Sequence, residues 1–75
     1  MSGEIKRSVT IAGHRTSVAL EPEFWDALKE VADARALSIS ALIAEIDATR
    51  LEAPDARNLS RAIRLYLFRY YRDAH

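Results

Sequence analysis

The sequence predicts a mainly α-helical fold with one short β-strand, completed by a second copy of the chain. Three observations lead there. In the stretch RTSVALEPEFWDALKEVA, residues 15–32, apolar side chains fall on every second position up to Leu20 and on every third or fourth after Pro22. Two later stretches repeat the helical spacing. The chain is only 75 residues long and has no cysteine. A domain of this size buries only about 60% of the surface its unfolded form exposes, so its own core is marginal. Small folds make up the shortfall with disulfides, a metal or a second subunit. Disulfides are excluded, and His14 and His75, the only histidines, sit at opposite ends of the chain. The second subunit remains.

Residues 1–14 read as an N-terminal extension. Residues 1–5 form a disordered start, Ser8 to Ile11 alternate, and Ala12-Gly13-His14 interrupts. Gly13 tolerates positive φ and suits a turn. Ser8–Ile11 can fold back as a hairpin or extend the strand, and the alternation fits both. Residues 15–50 form the core unit. Alternation along Arg15–Leu20 puts Thr16, Val18 and Leu20 on one face and Arg15, Ser17 and Ala19 on the other. The first face should lie on the helices; the second is small, polar and cationic.

The first helix starts at Pro22, a residue favoured at the first helical position, with Glu21 and Glu23 at the positive end of the dipole. Its apolar stripe is Phe24, Trp25, Leu28, Val31 and Ala32, and it stops near Ala36. Ser38 caps the second helix by accepting from a free backbone N–H, ahead of the stripe Ile39, Leu42, Ile43 and Ile46. Residues 51–57, with Pro54, form a linker. Asn58 can cap a third helix over 58–75, running to about Arg72, with Leu59, Ala62, Ile63, Tyr66, Leu67 and Tyr70 in one stripe. Leu65, Phe68 and Tyr71 lie off that stripe, among Arg61, Arg64, Arg69 and Arg72. A helix with apolar residues on more than one side is covered on more than one side.

The formal net charge is zero, but it is segregated. Residues 1–20 carry three bases against one acid, residues 21–50 seven acids against three bases, and residues 51–75 five arginines against three acids. Basic ends can still present a basic face, because binding follows local potential. No apolar run approaches the roughly 18 residues of a membrane span, and MSGEIKRS lacks the apolar core of a signal peptide. The expected location is the cytoplasm, with no membrane partner. No catalytic constellation is present: there is no cysteine nucleophile, Gly-rich phosphate loop or HExxH. Asp33, Glu45 and Asp47 fall on polar helix positions. The chain is expected to be neither an enzyme nor a holder of any cofactor or metal.

The strand RTSVAL, the helix entry EPEFWDAL and the junction RALSISALIAEI together resemble the ribbon-helix-helix family of bacterial DNA-binding regulators. The resemblance covers residues 15 to about 50; SVTIAGH and the third helix lie outside the minimal pattern and suggest a variant branch. The resemblance implies a homodimer whose strands pair in an intermolecular antiparallel two-stranded sheet, plus a C-terminal helix here. It implies double-stranded DNA as partner, a transcriptional regulator that is most simply a repressor, and two dimers per operator. Such a ribbon fits the width of a major groove.

Carried over by position, the base-reading residues are Arg15, Ser17 and Ala19. Arg15 suits guanine O6 and N7, Ser17 several base edges, and Ala19 a thymine methyl. The same pattern also suits the plain solvent face of a paired strand. Arg7, Thr10 and His14 are candidates for further DNA contacts. The start of the second helix, Ser38, Ile39 and Ser40, implies a phosphate contact through free N–H groups, although Ser38 is equally explained as a cap. Two departures stand out: Ala36 occupies a left-handed position where the family often has glycine, and Ala19 stands where a longer polar residue would read bases better. The alternatives are a dimeric protein–protein interaction module, or an antitoxin whose C-terminal part masks a toxin, with little or no DNA binding of its own.

Overall fold

The structure is a computed structural model of the chain and describes residues 3–49 and 56–74. Strand β1 (Ile5–Ile11) and strand β2 (His14–Leu20) form an antiparallel hairpin, followed by helices α1 (Pro22–Ala34), α2 (Ile39–Ala48) and α3 (Ala56–Asp73). The strand expected to lack a partner in its own chain has one: β2 pairs with β1 along its whole length, from Ile11↔His14 to Ile5↔Leu20. The turn makes this local closure possible. Ala12 and Gly13 both have positive φ, 51° and 82°, the signature of the two-residue turn whose twist matches the strands it joins. Ser8–Ile11 therefore folds back, and pairing begins at Ile5, inside the segment expected to be disordered.

Register fixes the faces. Val9, Ile11, Val18 and Leu20 point inward and are buried. Beneath them α1 contributes Trp25, Leu28, Val31 and Ala32, α2 contributes Leu42, Ile43 and Ile46, and α3 contributes Leu59, Ile63 and Leu67. These are the stripes the helical spacing predicts. Each fully buried Leu, Ile or Val in this set contributes about 1.5–3 kcal/mol of transfer free energy. Helix α2 lies against β1 and α3 against β2, while α1 touches β2 and both other helices.

The helix ends follow local chemistry. Helix α1 begins at Pro22 without a side-chain cap; the Glu21 carboxylate instead accepts from Arg64 of α3 at 2.9 and 3.1 Å. Its C-terminus closes with Leu37 N–H donating to Ala32 O at 2.8 Å and Ala36 N–H to Asp33 O at 3.1 Å. That bonding pattern requires a left-handed residue between them, and Ala36 takes it with φ 58°. Ser38 Oγ accepts from Ala41 N–H at 3.0 Å and caps α2. Helix α3 starts two residues ahead of Asn58, whose side chain, like Pro54 and most of the expected linker, lies outside the described residues.

Candidate nucleic-acid interface

Pairing places six side chains on the outward face of the hairpin, in the cross-strand rows Lys6–Ala19, Ser8–Ser17 and Thr10–Arg15. Successive residues of a strand point to opposite faces, and directly paired residues share one. Arg15, Ser17 and Ala19 therefore line one side of a surface whose other side is Lys6, Ser8 and Thr10. All are exposed except Ala19, which is half-buried. The surface carries two cations, three hydroxyls and one methyl, and no carboxylate.

Arg7 and His14 fall on the other face. Arg7 pairs with Val18, and its guanidinium stacks 5.0 Å from the centre of the Trp25 ring. The Trp25 indole N–H donates to the Ile5 carbonyl at 2.9 Å. Together these contacts fasten β1 to α1. His14 pairs with Ile11 beside the turn and is exposed. Sequence reasoning grouped Arg7 with Thr10 and missed Lys6 and Ser8. The parity was readable nonetheless: with Val9 and Ile11 as the apolar positions, Arg7 must share their side, and Lys6, Ser8 and Thr10 the opposite one.

The second candidate locus is the start of α2. Ser38 is exposed and Ile39 and Ser40 are half-buried. Ser38 Oγ satisfies the Ala41 N–H, while the N–H groups of Ile39 and Ser40 belong to the first turn, which has no intrahelical acceptors. An ion pair holds this helix in place. Arg35, the C-cap of α1, forks onto Glu45 of α2, with Nη2 donating to Oε1 at 3.1 Å, and also donates to the Tyr66 oxygen of α3 at 3.1 Å. The Arg35 hydrogen bonds hold the Glu45 carboxyl below the usual carboxylate range, and the same contacts raise the Arg35 pKa. Glu21 is lowered too, first by a backbone hydrogen bond and then by Arg64. These acids serve the scaffold; Glu45, expected to be merely solvated, pairs across two helices. Among the described residues no cluster of three His, Cys, Asp or Glu side chains could hold a metal, and no helix is long and apolar enough to cross a membrane.

A family model described as the ribbon-helix-helix domain matches residues 4–71. The chain belongs to the ribbon-helix-helix family. The match begins ahead of β1 and ends within α3, so all of β1 and most of α3 fall within the matched domain, although both lie outside the minimal pattern read from the sequence. Ribbon-helix-helix proteins are generally DNA-binding transcription regulators or antitoxins, and they bind DNA as dimers. No curated protein and no solved structure matches the chain significantly.

Proposed function

We propose that this ribbon-helix-helix protein is a sequence-specific DNA-binding transcriptional regulator, acting as a repressor, whose hairpin enters the major groove by its outward face. The observation that carries the reading is the composition of that face: Lys6, Ser8, Thr10, Arg15, Ser17 and Ala19 are small or cationic, and none is acidic. A two-stranded ribbon matches the groove in width, and here one chain can supply both strands. Arg15 takes guanine O6 and N7, Lys6 reaches a second guanine edge or the adjoining phosphate, the hydroxyls read mixed edges, and Ala19 meets a thymine methyl. Arg7 and His14 take no part in base reading. The backbone N–H groups of Ile39 and Ser40, with Ser38 as cap, hold a flanking phosphate.

The chain acts as a homodimer in this reading, each copy presenting one hairpin to half of a symmetric operator. A second form of the dimer keeps the intermolecular sheet. A two-stranded sheet leaves one edge of each strand open, and β2 of a second copy can add antiparallel along β2. Selection from random duplexes with the full chain, followed by fluorescence anisotropy at several salt concentrations, tests the function. The expected result is enrichment of an inverted repeat, with affinity falling steeply as salt rises. Binding that is absent at low salt would favour the protein–protein module, and a DNA-independent toxin complex would favour the antitoxin.

A further inference from the structure

A cavity of about 680 Å³ opens between the end of α2 and the C-terminal half of α3, within the roughly 300–1,000 Å³ range of small-molecule sites. Its walls are apolar: Ile46 from α2, and Ala62, Leu65, Tyr66 and Tyr70 from α3. The two tyrosine rings stand 6.2 Å apart with a 31° tilt, and both are anchored. The Tyr66 oxygen accepts from Arg35 at 3.1 Å. Tyr70 meets the Tyr71 ring edge-on at 5.5 Å, and the Tyr71 hydroxyl donates to Glu30 at 2.8 Å. Three charged side chains also line the cavity: Glu45, Arg69 and Asp73. Glu45 is answered by Arg35, which engages both carboxylate oxygens. Arg69 and Asp73 are exposed, and neither has an ion-pair partner among the described residues. They stand four positions apart, a spacing at which opposite charges on a helix can join, yet they do not pair with each other. One cation and one anion are thus left unanswered at the rim of a single apolar cavity. Asp73 also stands at the negative end of the α3 dipole, which favours a positive group there.

We infer that this cavity is a binding site for a small zwitterion with an aromatic body, the chemistry of an aromatic α-amino acid. The ligand carboxylate meets the Arg69 guanidinium, whose planar fork suits it. The ammonium meets the Asp73 carboxylate at the helix end. The ring packs on Tyr66 and Tyr70, offset or edge-on as aromatic pairs prefer, with Ile46 and Leu65 beside it. The paired charges select against simpler ligands: Asp73 repels a plain anion and Arg69 a plain cation. Walls already held in place spare the ligand the cost of ordering them. No strand residue lines the cavity, and binding there makes no use of DNA, so the inference stands or falls independently of the proposed function.

Titration of the isotope-labelled full chain, without DNA, tests it through amide chemical shifts with three probes: phenylalanine, phenylpropionate and phenethylamine. Phenylalanine should shift the amides of Ile46, Thr49, Tyr66, Arg69 and Tyr70 and saturate in the millimolar range. Phenylpropionate lacks the ammonium and phenethylamine the carboxylate, so each should bind about tenfold more weakly, the loss of one charged hydrogen bond. Arg69→Gln should weaken phenylalanine by a similar factor without weakening phenethylamine. Asp73→Asn should weaken phenylalanine without weakening phenylpropionate. Circular dichroism should show the helices intact in both variants. Shifts that are absent at millimolar phenylalanine, or confined to other surfaces, overturn the inference. So does equal affinity for the three probes, which would mean a merely apolar surface, and so does a folded variant that binds phenylalanine as the wild type does. If a variant unfolds, the comparison of the three probes on the wild-type chain decides.

Discussion

The two faces of the β1–β2 hairpin follow different rules. Inward, Val9, Ile11, Val18 and Leu20 are buried against all three helices. Outward, Lys6, Ser8, Thr10, Arg15 and Ser17 remain in water. The same fourteen residues thus hold the fold with one parity and present a surface with the other. Because the period of a strand is two, nothing couples the residues of one face to those of the other except the backbone. Stability and recognition can change separately.

The largest effect should come from the inner face. Leu20→Ala, at a fully buried position, should cost about 2–5 kcal/mol in urea unfolding, the range for deleting a core leucine. In a domain this small that leaves little stability, and DNA binding should be lost with the fold. Arg15→Ala should leave the unfolding midpoint nearly unchanged, within about 0.5 kcal/mol, and lower DNA affinity by roughly 1–3 kcal/mol at one base position. Arg7→Ala should do the reverse. Loss of its stack on Trp25 should cost about 0.5–1 kcal/mol of stability with base preference intact. If Arg7→Ala relaxed specificity and Arg15→Ala did not, the assignment of faces would be wrong.

Ala36→Gly should stabilise the fold by on the order of 1 kcal/mol, because an L-residue with a Cβ is strained in the left-handed region and Ala36 has φ 58°. Thermal unfolding would show it as a raised Tm; a lowered Tm would mean the loss of chain entropy dominates. The smallest effect concerns pH. Glu21 and Glu45 have folded-state values below their ordinary ones. Their contribution is therefore complete above the unfolded carboxylate value and is lost as pH falls through the folded one. Both are solvent-exposed, so screening keeps it small. Glu45→Gln should lower the neutral plateau slightly and flatten the acid side of the stability profile, leaving stability in strong acid unchanged.

Much of this was legible beforehand because local chemistry decides it. Pro22 and Ser38 mark the helix starts that the structure has, and the burial of Trp25, Leu28, Leu42, Ile43, Ile63 and Leu67 follows their spacing. The left-handed Ala36 was readable only through the family resemblance, which implies such a residue just before Leu-Ser. The hairpin was half legible. The tip showed through Gly13, but Ala12 is an unusual residue for positive φ, and the cations Lys6 and Arg7 in succession hide the alternation of β1. Hence the alternation of β1 reads only from Ser8, too short to settle whether it folds back on Arg15–Leu20 or extends it. On the candidate surface, Arg15, Ser17 and Ala19 share one face as expected, whereas Arg7 needed the register to be placed. The Arg35–Glu45–Tyr66 and Arg64–Glu21 ties join residues distant in sequence, and no local pattern announces them.

Trp25 is the chain's single tryptophan, and its indole N–H is held by the backbone of the very first paired residue of β1. Nature has therefore installed one fluorophore at the seam where ribbon meets helix. Peeling of that strand, by dilution, denaturant or a bound duplex, would hydrate the ring and shift its emission to the red, reporting ribbon detachment without any label.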